Sequence, residues 1–153
     1  MADEITVNFE AKNPSGIKLL NRLYEGHLVL NDIGVRLDEQ LTKGEELTVP
    51  TEEDMKNINE TFGKTVSAFT DIAEAYGDVN NFANNFAGDT KDFAEKLITE
   101  MVNFNDGVAD IADTEGGLAA YDDDKLNDWV NRVMGDIVET NDAFNTLVQE
   151  DKD

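Results

Sequence analysis

Nucleophilic catalysis needs a hydroxyl or thiol beside a base, and this chain offers little for either role. It holds two serines, Ser15 and Ser67, a single histidine, His27, and no cysteine. A serine triad would need His27 placed between a serine and an acid. Yet the residues three and four positions away are Leu23, Tyr24, Leu30 and Asn31, none of them acidic. His27 is therefore expected to sit in a helix and make one hydrogen bond. Without cysteine there is no disulfide frame and no thiolate to hold a metal.

Other constellations fail on spacing. "FGKT" (Phe62–Thr65) ends like a phosphate-binding loop, but the loop's first glycine would fall at Ile58. That position is expected inside a helix, where no N–H group is free to cradle phosphate. A di-iron carboxylate bundle requires two Glu-x-x-His elements, and one histidine cannot supply them. Asp122 and Asp124 begin a calcium-loop pattern, but Leu126 breaks it and no glycine follows. Weak, unselective cation binding is all that "DDD" promises. "NET" (Asn59–Thr61) matches a glycosylation acceptor by chance, within an expected helix. The sequence thus predicts no catalytic residue, no cofactor site and no metal site, and the chain is not expected to be an enzyme.

The carboxylates that remain are numerous. With 34 acidic and 12 basic residues, the 153-residue chain carries a formal charge of -22. The charge deepens along the chain, from -4 over residues 1–50 to -7 over 118–153. Such a field repels nucleic acid and anionic membranes and draws basic partners inward. Solubility alone, or adaptation to high salt, would also account for it; sixteen asparagines and a lysine excess over arginine of nine to three count against the salt reading. The acids flank helical stripes in the C-terminal half, and the expected partner contacts are Asp106, Asp110, Asp113, Asp122, Asp123, Asp124, Asp128, Asp136 and Asp142. Carboxylates in rows on rigid helices can imitate the phosphates of a duplex.

In charge, size and lack of catalytic residues the chain resembles acidic decoy proteins, such as phage-type inhibitors of restriction or CRISPR enzymes. That resemblance implies a non-enzymatic binding module, a nucleic-acid mimic that occupies the basic nucleic-acid site of a target protein. No direct contact with nucleic acid or membrane is expected. The chain is also similar to small helical proteins of phage tails or type VII secretion, which implies a structural or assembly component, open to homo-oligomers, that pairs through its apolar stripes. The Trp-x-Gly turn of the secretion proteins is missing, since Val130 and Asn131 follow Trp129.

These acids must be held by helices. Residues 1–14 form an expected extended arm, with Ile5, Val7 and Phe9 alternating at strand period. A single helical bundle domain spans 15–149, and 150–153 should fray. The first helix opens at Ser15 and carries Ile17, Leu20, Leu23, Tyr24, Leu28, Leu30, Leu37 and Leu41 at helical spacing, with Gly44 as its stop. Gly26 and Gly34 weaken its interior, which leaves room for a kink or break near Asn31-Asp32. Thr51 and Asp54 cap the second helix. Its stripe then steps evenly from Met55 through Ile58, Phe62, Thr65, Phe69, Ile72, Tyr76, Val79 and Ala83 to Phe86.

In the doubled phrase "NNFANNFA", Phe82 and Phe86 fall on the stripe, while Asn80, Asn81, Asn84 and Asn85 should mostly point outward. Gly88 should end that helix, with Asp89-Thr90 capping the next, whose stripe runs from Phe93 to Ile111 and slips by one residue between Leu97 and Met101. Gly116-Gly117 marks another break. One of Asp122–Asp124 should cap a last helix striped from Leu126 to Leu147, with Trp129 as a core anchor. Four helices of similar length with short connectors predict an all-α, up-down bundle. The alternative is a long helical hairpin with residues 51–113 continuous. No apolar run reaches the length of a membrane span, and no basic-then-apolar leader opens the chain. A cytoplasmic location is expected, with leaderless export left open.

Overall fold

A computed structural model describes residues 11–46, 48, 51–113 and 123–152, with side chains described as far as Asp110 and again from Arg132 to Leu147. Five helices run in order: α1 (Gly16–Lys43), α2 (Glu52–Tyr76), α3 (Val79–Ala83), α4 (Gly88–Asp113) and α5 (Asp123–Lys152). The protein is an all-α, up-down bundle of four long helices, with α3 as a short crosspiece.

Ion pairs fix the directions. Arg22 meets Asp71 and Arg36 meets Asp54, so α1 and α2 run antiparallel. Asn103 bonds Asp136, and Lys96 lies near Glu139, which sets α4 against α5. Both α1 and α4 touch each of the other long helices, leaving α2 and α5 on the flanks. This shared centre explains the slip between Leu97 and Met101. The helix does not restart or break there; α4 is continuous and buries a broad stripe of Phe93, Ala94, Leu97, Ile98 and Met101 because it has three neighbours to cover.

The core follows the predicted stripes. Leu20, Leu23, Leu30, Leu37, Ile58, Ile72, Phe93, Phe104, Val133 and Ile137 are buried, while Phe62, Phe69 and Phe144 pack against them half-buried. Each large side chain so covered contributes about 1.5–3 kcal/mol. Aromatic rings form two groups. Tyr24, Phe93 and Phe144 join α1, α4 and α5 at centroid distances of 5.0–5.9 Å. Tyr76, Phe82 and Phe86 close the end of the bundle near the start of α1, at 5.2 and 5.3 Å. Leu126, Val130 and Trp129 lie outside the residues whose side chains are described, as do Ile5, Val7 and Phe9.

Local chemistry decides the boundaries. Thr51 and Asp54 form the expected capping box, each side chain meeting the other's backbone N–H. At the far end of α1, Gly44 is left-handed (φ 69°), and Gly44 and Glu45 donate to Leu41 and Gln40. That pair of bonds satisfies carbonyls the helix leaves open. Ser15 precedes α1 but makes no side-chain cap; its hydroxyl and N–H both donate to Asn13 Oδ1 instead.

The largest correction concerns the second helix. The even stripe from Met55 to Phe86 predicted one segment, but α2 ends at Tyr76. Gly77 adopts φ 88°, a conformation that side chains resist, and the Asp78 carboxylate then caps α3 at Asn81 N. Two backbone signals outweigh an unbroken apolar rhythm. A further break follows at Asn84–Ala87, before Gly88 enters α4 with φ 56°. Asp89 and Thr90 therefore sit inside the first turn rather than ahead of it. The continuous 51–113 helix of the hairpin alternative is excluded.

The outward placement of the asparagines holds for three of four: Asn80, Asn81 and Asn84 are exposed, whereas Asn85 is buried. Its side chain accepts from Asn13 N at 2.8 Å and donates to Asn13 O at 3.0 Å, and its carbonyl accepts from Lys12 N. An amide side chain thus acts as a substitute strand edge, next to the isolated bridge between Ala11 and Phe86. Gly16 allows this approach, because a Cβ there would stand 2.6 Å from Tyr76 Oη and 2.7 Å from Asn85 Nδ2.

No break occurs in α1 near Asn31-Asp32; the helix is continuous over 28 residues. Gly26 is a contact point, where a Cβ would meet Thr65, Met101 and Thr61 at 3.1–3.3 Å, whereas a Cβ on Gly63 would meet nothing within 4 Å. Opposite outcomes follow for one chemical change. Gly63→Ala should raise stability by about 0.5–1 kcal/mol through helix propensity. Gly26→Ala should lower it by about 1 kcal/mol, overpacking exceeding the same propensity gain. Urea denaturation midpoints of the two variants, moving in opposite directions, check this.

Candidate functional site

Exposed carboxylates on α4 and α5 make up the first feature. Asp106 and Asp110 on α4 and Asp142 on α5 are exposed. Asp136 is half-buried and accepts from Asn103 Nδ2 at 2.8 Å, so it stitches the two helices together as well as facing outward. Glu139 lies 3.9 Å from Lys96, and both side chains are exposed. Asp113, Asp122, Asp123, Asp124 and Asp128 lie outside the residues whose side chains are described. Two antiparallel helices therefore carry Asp106, Asp110 and Asp142 exposed to water, with Asp136 at the seam between them. Among the described residues, no three His, Asp or Glu side chains converge on a site for a metal ion.

A second cluster is buried. The expectation of one hydrogen bond for His27 is corrected: both ring nitrogens are engaged. Nδ1 lies 2.7 and 3.0 Å from the two Glu100 oxygens, and Nε2 lies 2.9 Å from Asn141 Oδ1. Asn141 Nδ2 in turn donates to Asn31 Oδ1 at 3.3 Å. The His27 and Glu100 side chains are 1% and 0% exposed. Tyr24 stacks on the imidazole at 5.6 Å. The acid comes from α4, seventy-three residues away, so spacing along α1 could not find it. Residue spacing by itself assigns Glu100 no role. Its place between Leu97 and Met101, on the broad buried face of α4, was the available signal. Ser67 instead accepts from Arg22 at 3.2 Å on the α1–α2 side.

Among the described residues Asp54 is the other buried carboxylate, 4% exposed. Arg36 grips it with two nitrogens at 2.6 and 3.1 Å, and Thr51 N donates to it at 2.9 Å. The Arg36 hydrogen bond holds the Asp54 carboxyl below its usual range against the opposing effect of burial, with the Thr51 N–H adding to it. Asp54 in turn raises Arg36, helped by Asp32. One carboxylate thus starts α2 and fastens α2 to α1.

Between α1 and α2 runs a groove of ≈ 490 Å³ bordered by Arg22, Glu25, Val29, Glu60 and Lys64. Gly26 and Gly63 line it and leave it open. Arg22 is already held by Asp71 at 2.6 Å, so its charge is balanced within the wall. "FGKT" lies beside this groove in the interior of α2, where Thr65 Oγ1 shares its one proton between Phe62 O and Asn105 Oδ1. No helix among the described residues is long and apolar enough to cross a membrane. No protein-family model, curated protein or solved structure matches the chain.

The depressed Asp54 carboxyl sets a pH dependence. A group whose folded value lies below its unfolded one stabilises above the unfolded range, near 3.9 for aspartate, and loses that contribution as pH falls through the folded value. Asp54→Asn, which keeps the shape but removes the charge, should cost about 2 kcal/mol at pH 7, reduced from a fully buried pair because Arg36 is partly in water. The gap between wild type and variant should close on acidification below about pH 4. Chemical denaturation at both pH values measures it; a gap that widens in acid would contradict the assignment.

Proposed function

We propose that this protein is a non-enzymatic acidic binding module whose outer α4–α5 side occupies a basic surface on another protein, as an inhibitor of the anti-restriction or anti-CRISPR type would by mimicking nucleic acid. The observation that carries the reading is the charge of -22, weighted towards the C-terminal half. Exposed Asp106, Asp110 and Asp142 support it.

Spacing supports the pairing of two helices. Carboxylates four residues apart stand about 6 Å apart along one helix. A duplex presents a charge about every 1.7 Å of its axis. One helix supplies only part of that density, and an antiparallel partner adds a second row. The alternative, an assembly component, would pair through the apolar stripes. Among the described residues those stripes pack within the single chain, which supports the first reading over the second.

The test is capture of a partner from host lysate at two salt concentrations, with free DNA as competitor. Capture should fall at least tenfold between about 50 and 300 mM salt, as counterion-linked binding requires, and DNA should displace the partner. The triple variant Asp106→Asn, Asp110→Asn, Asp142→Asn should weaken capture while leaving the fold intact, since these residues are exposed. Capture indifferent to salt and to DNA would reject the proposal.

A further inference from the structure

The chain divides into two hairpins at one short joint, with α1, α2 and α3 before it and α4 and α5 after it. Residues 82–86 belong to the first group. Phe82 packs on Tyr76 at 5.2 Å, Asn85 is clasped to Asn13, and Phe86 forms a bridge with Ala11. Ala87 and Gly88 come next, both exposed, and lead into α4. Gly88 turns the chain there with φ 56°. A residue with a Cβ resists that conformation.

The side-chain contacts sort by this division. Arg22–Asp71 and Arg36–Asp54 close the first hairpin on itself, while Asn103–Asp136 and Lys96–Glu139 close the second. A third set crosses between them: His27 with Glu100 and Asn141, Thr65 with Asn105, and Tyr24 with Phe93 and Phe144. Each crossing contact pairs a residue of the first hairpin with one of the second. None of these needs both hairpins to come from one chain. A second copy offers the same partners at the same positions.

We infer that a second copy of this chain is a partner of the fold: two copies exchange hairpins, α1–α3 of each closing on α4–α5 of the other, with Ala87-Gly88 opened as the hinge. The crossing contacts are rebuilt in the exchanged dimer, so the joint, the protein concentration and the charge set the balance. A two-residue turn with a left-handed φ is a short, constrained connection of the kind that invites exchange. Opening it lets position 88 take an ordinary negative φ. The charge of -22 on each copy opposes the union, and salt screens that repulsion. Dimer therefore increases with salt, the reverse of the response expected when a basic partner is captured. Either reading can fail without the other.

The test is refolding from urea at about 1 µM and about 1 mM chain, in low and high salt, with mass measured by light scattering on a sizing column. Dimer should form at the higher concentration and increase with salt. Gly88→Ala penalises the closed turn in both copies and should raise the dimer-to-monomer ratio about tenfold or more. A Gly-Ser-Gly insertion after Ala87 relieves the turn and should return the monomer. Exchange is told from simple association by a cysteine pair, since the chain has no cysteine of its own. Thr65 and Asn105 meet at 2.7 Å across the two hairpins. With Thr65→Cys and Asn105→Cys, the oxidised dimer should remain covalently dimeric in denaturant. A wild type that stays monomeric throughout would overturn the inference, as would an oxidised dimer that separates in denaturant or a Gly88→Ala chain with no more dimer than wild type. If Gly88→Ala does not fold, the cysteine pair in the otherwise unaltered chain decides.

Discussion

A molecule with nearly three acids for every base is constrained first by water. Each carboxylate drawn into the interior needs a partner at hydrogen-bond distance, because the interior cannot replace its hydration. Two described carboxylates enter the core, and each is met in this way: Asp54 by the fork of Arg36, Glu100 by the imidazole of His27. Both partners come from α1. This one helix therefore supplies the hydrogen-bond partners of the buried acids of α2 and α4 and, through Asn141, also binds α5. The other described acids stay outside the core, and the apolar stripes can close on one another without them.

That division explains the shape of the packing. Polar cross-links recur between the helices, with Thr65 on Asn105 part-buried between α2 and α4, and Asn103 on Asp136 at the exposed seam of α4 and α5. Leucine and phenylalanine stripes would tolerate a shift of one helix along its neighbour by a turn. Paired polar groups do not, because a displaced buried donor or acceptor loses its partner. Apolar burial drives the assembly, and these pairs select one register. Glycines at 16 and 26 then let the backbones approach where side chains from other helices need the room.

Much of this was readable from residue spacing. The stripes of α1, α4 and α5, the box at Thr51–Asp54 and the stop at Gly44 all follow from local chemistry, which a sequence displays. What stayed hidden was of two kinds. The end of α2 at Gly77 was written in plain residues, Gly then Asp, but the even rhythm running on to Phe86 masked it. The partners of His27 and Asn85 were not written locally at all. Glu100 lies seventy-three positions from one, and Asn13 seventy-two from the other, and only the folded chain brings them together. The acidic surface was legible as composition, while the exposure of Asp106, Asp110 and Asp142 and the stitching role of Asp136 required the fold.

The clasp between Asn13 and Asn85 has a kinetic meaning. It ties the entry of α1 to the loop before α4, closing a circuit of about half the chain. Hairpins such as α1–α2 and α4–α5 join neighbours in sequence and can assemble quickly, whereas a long circuit closes only after its ends have been brought near. The latch is therefore a late event in folding and an early one in unfolding. The end of the molecule that holds the Tyr76–Phe82–Phe86 cluster is therefore expected to open before the α1–α2 and α4–α5 hairpins part.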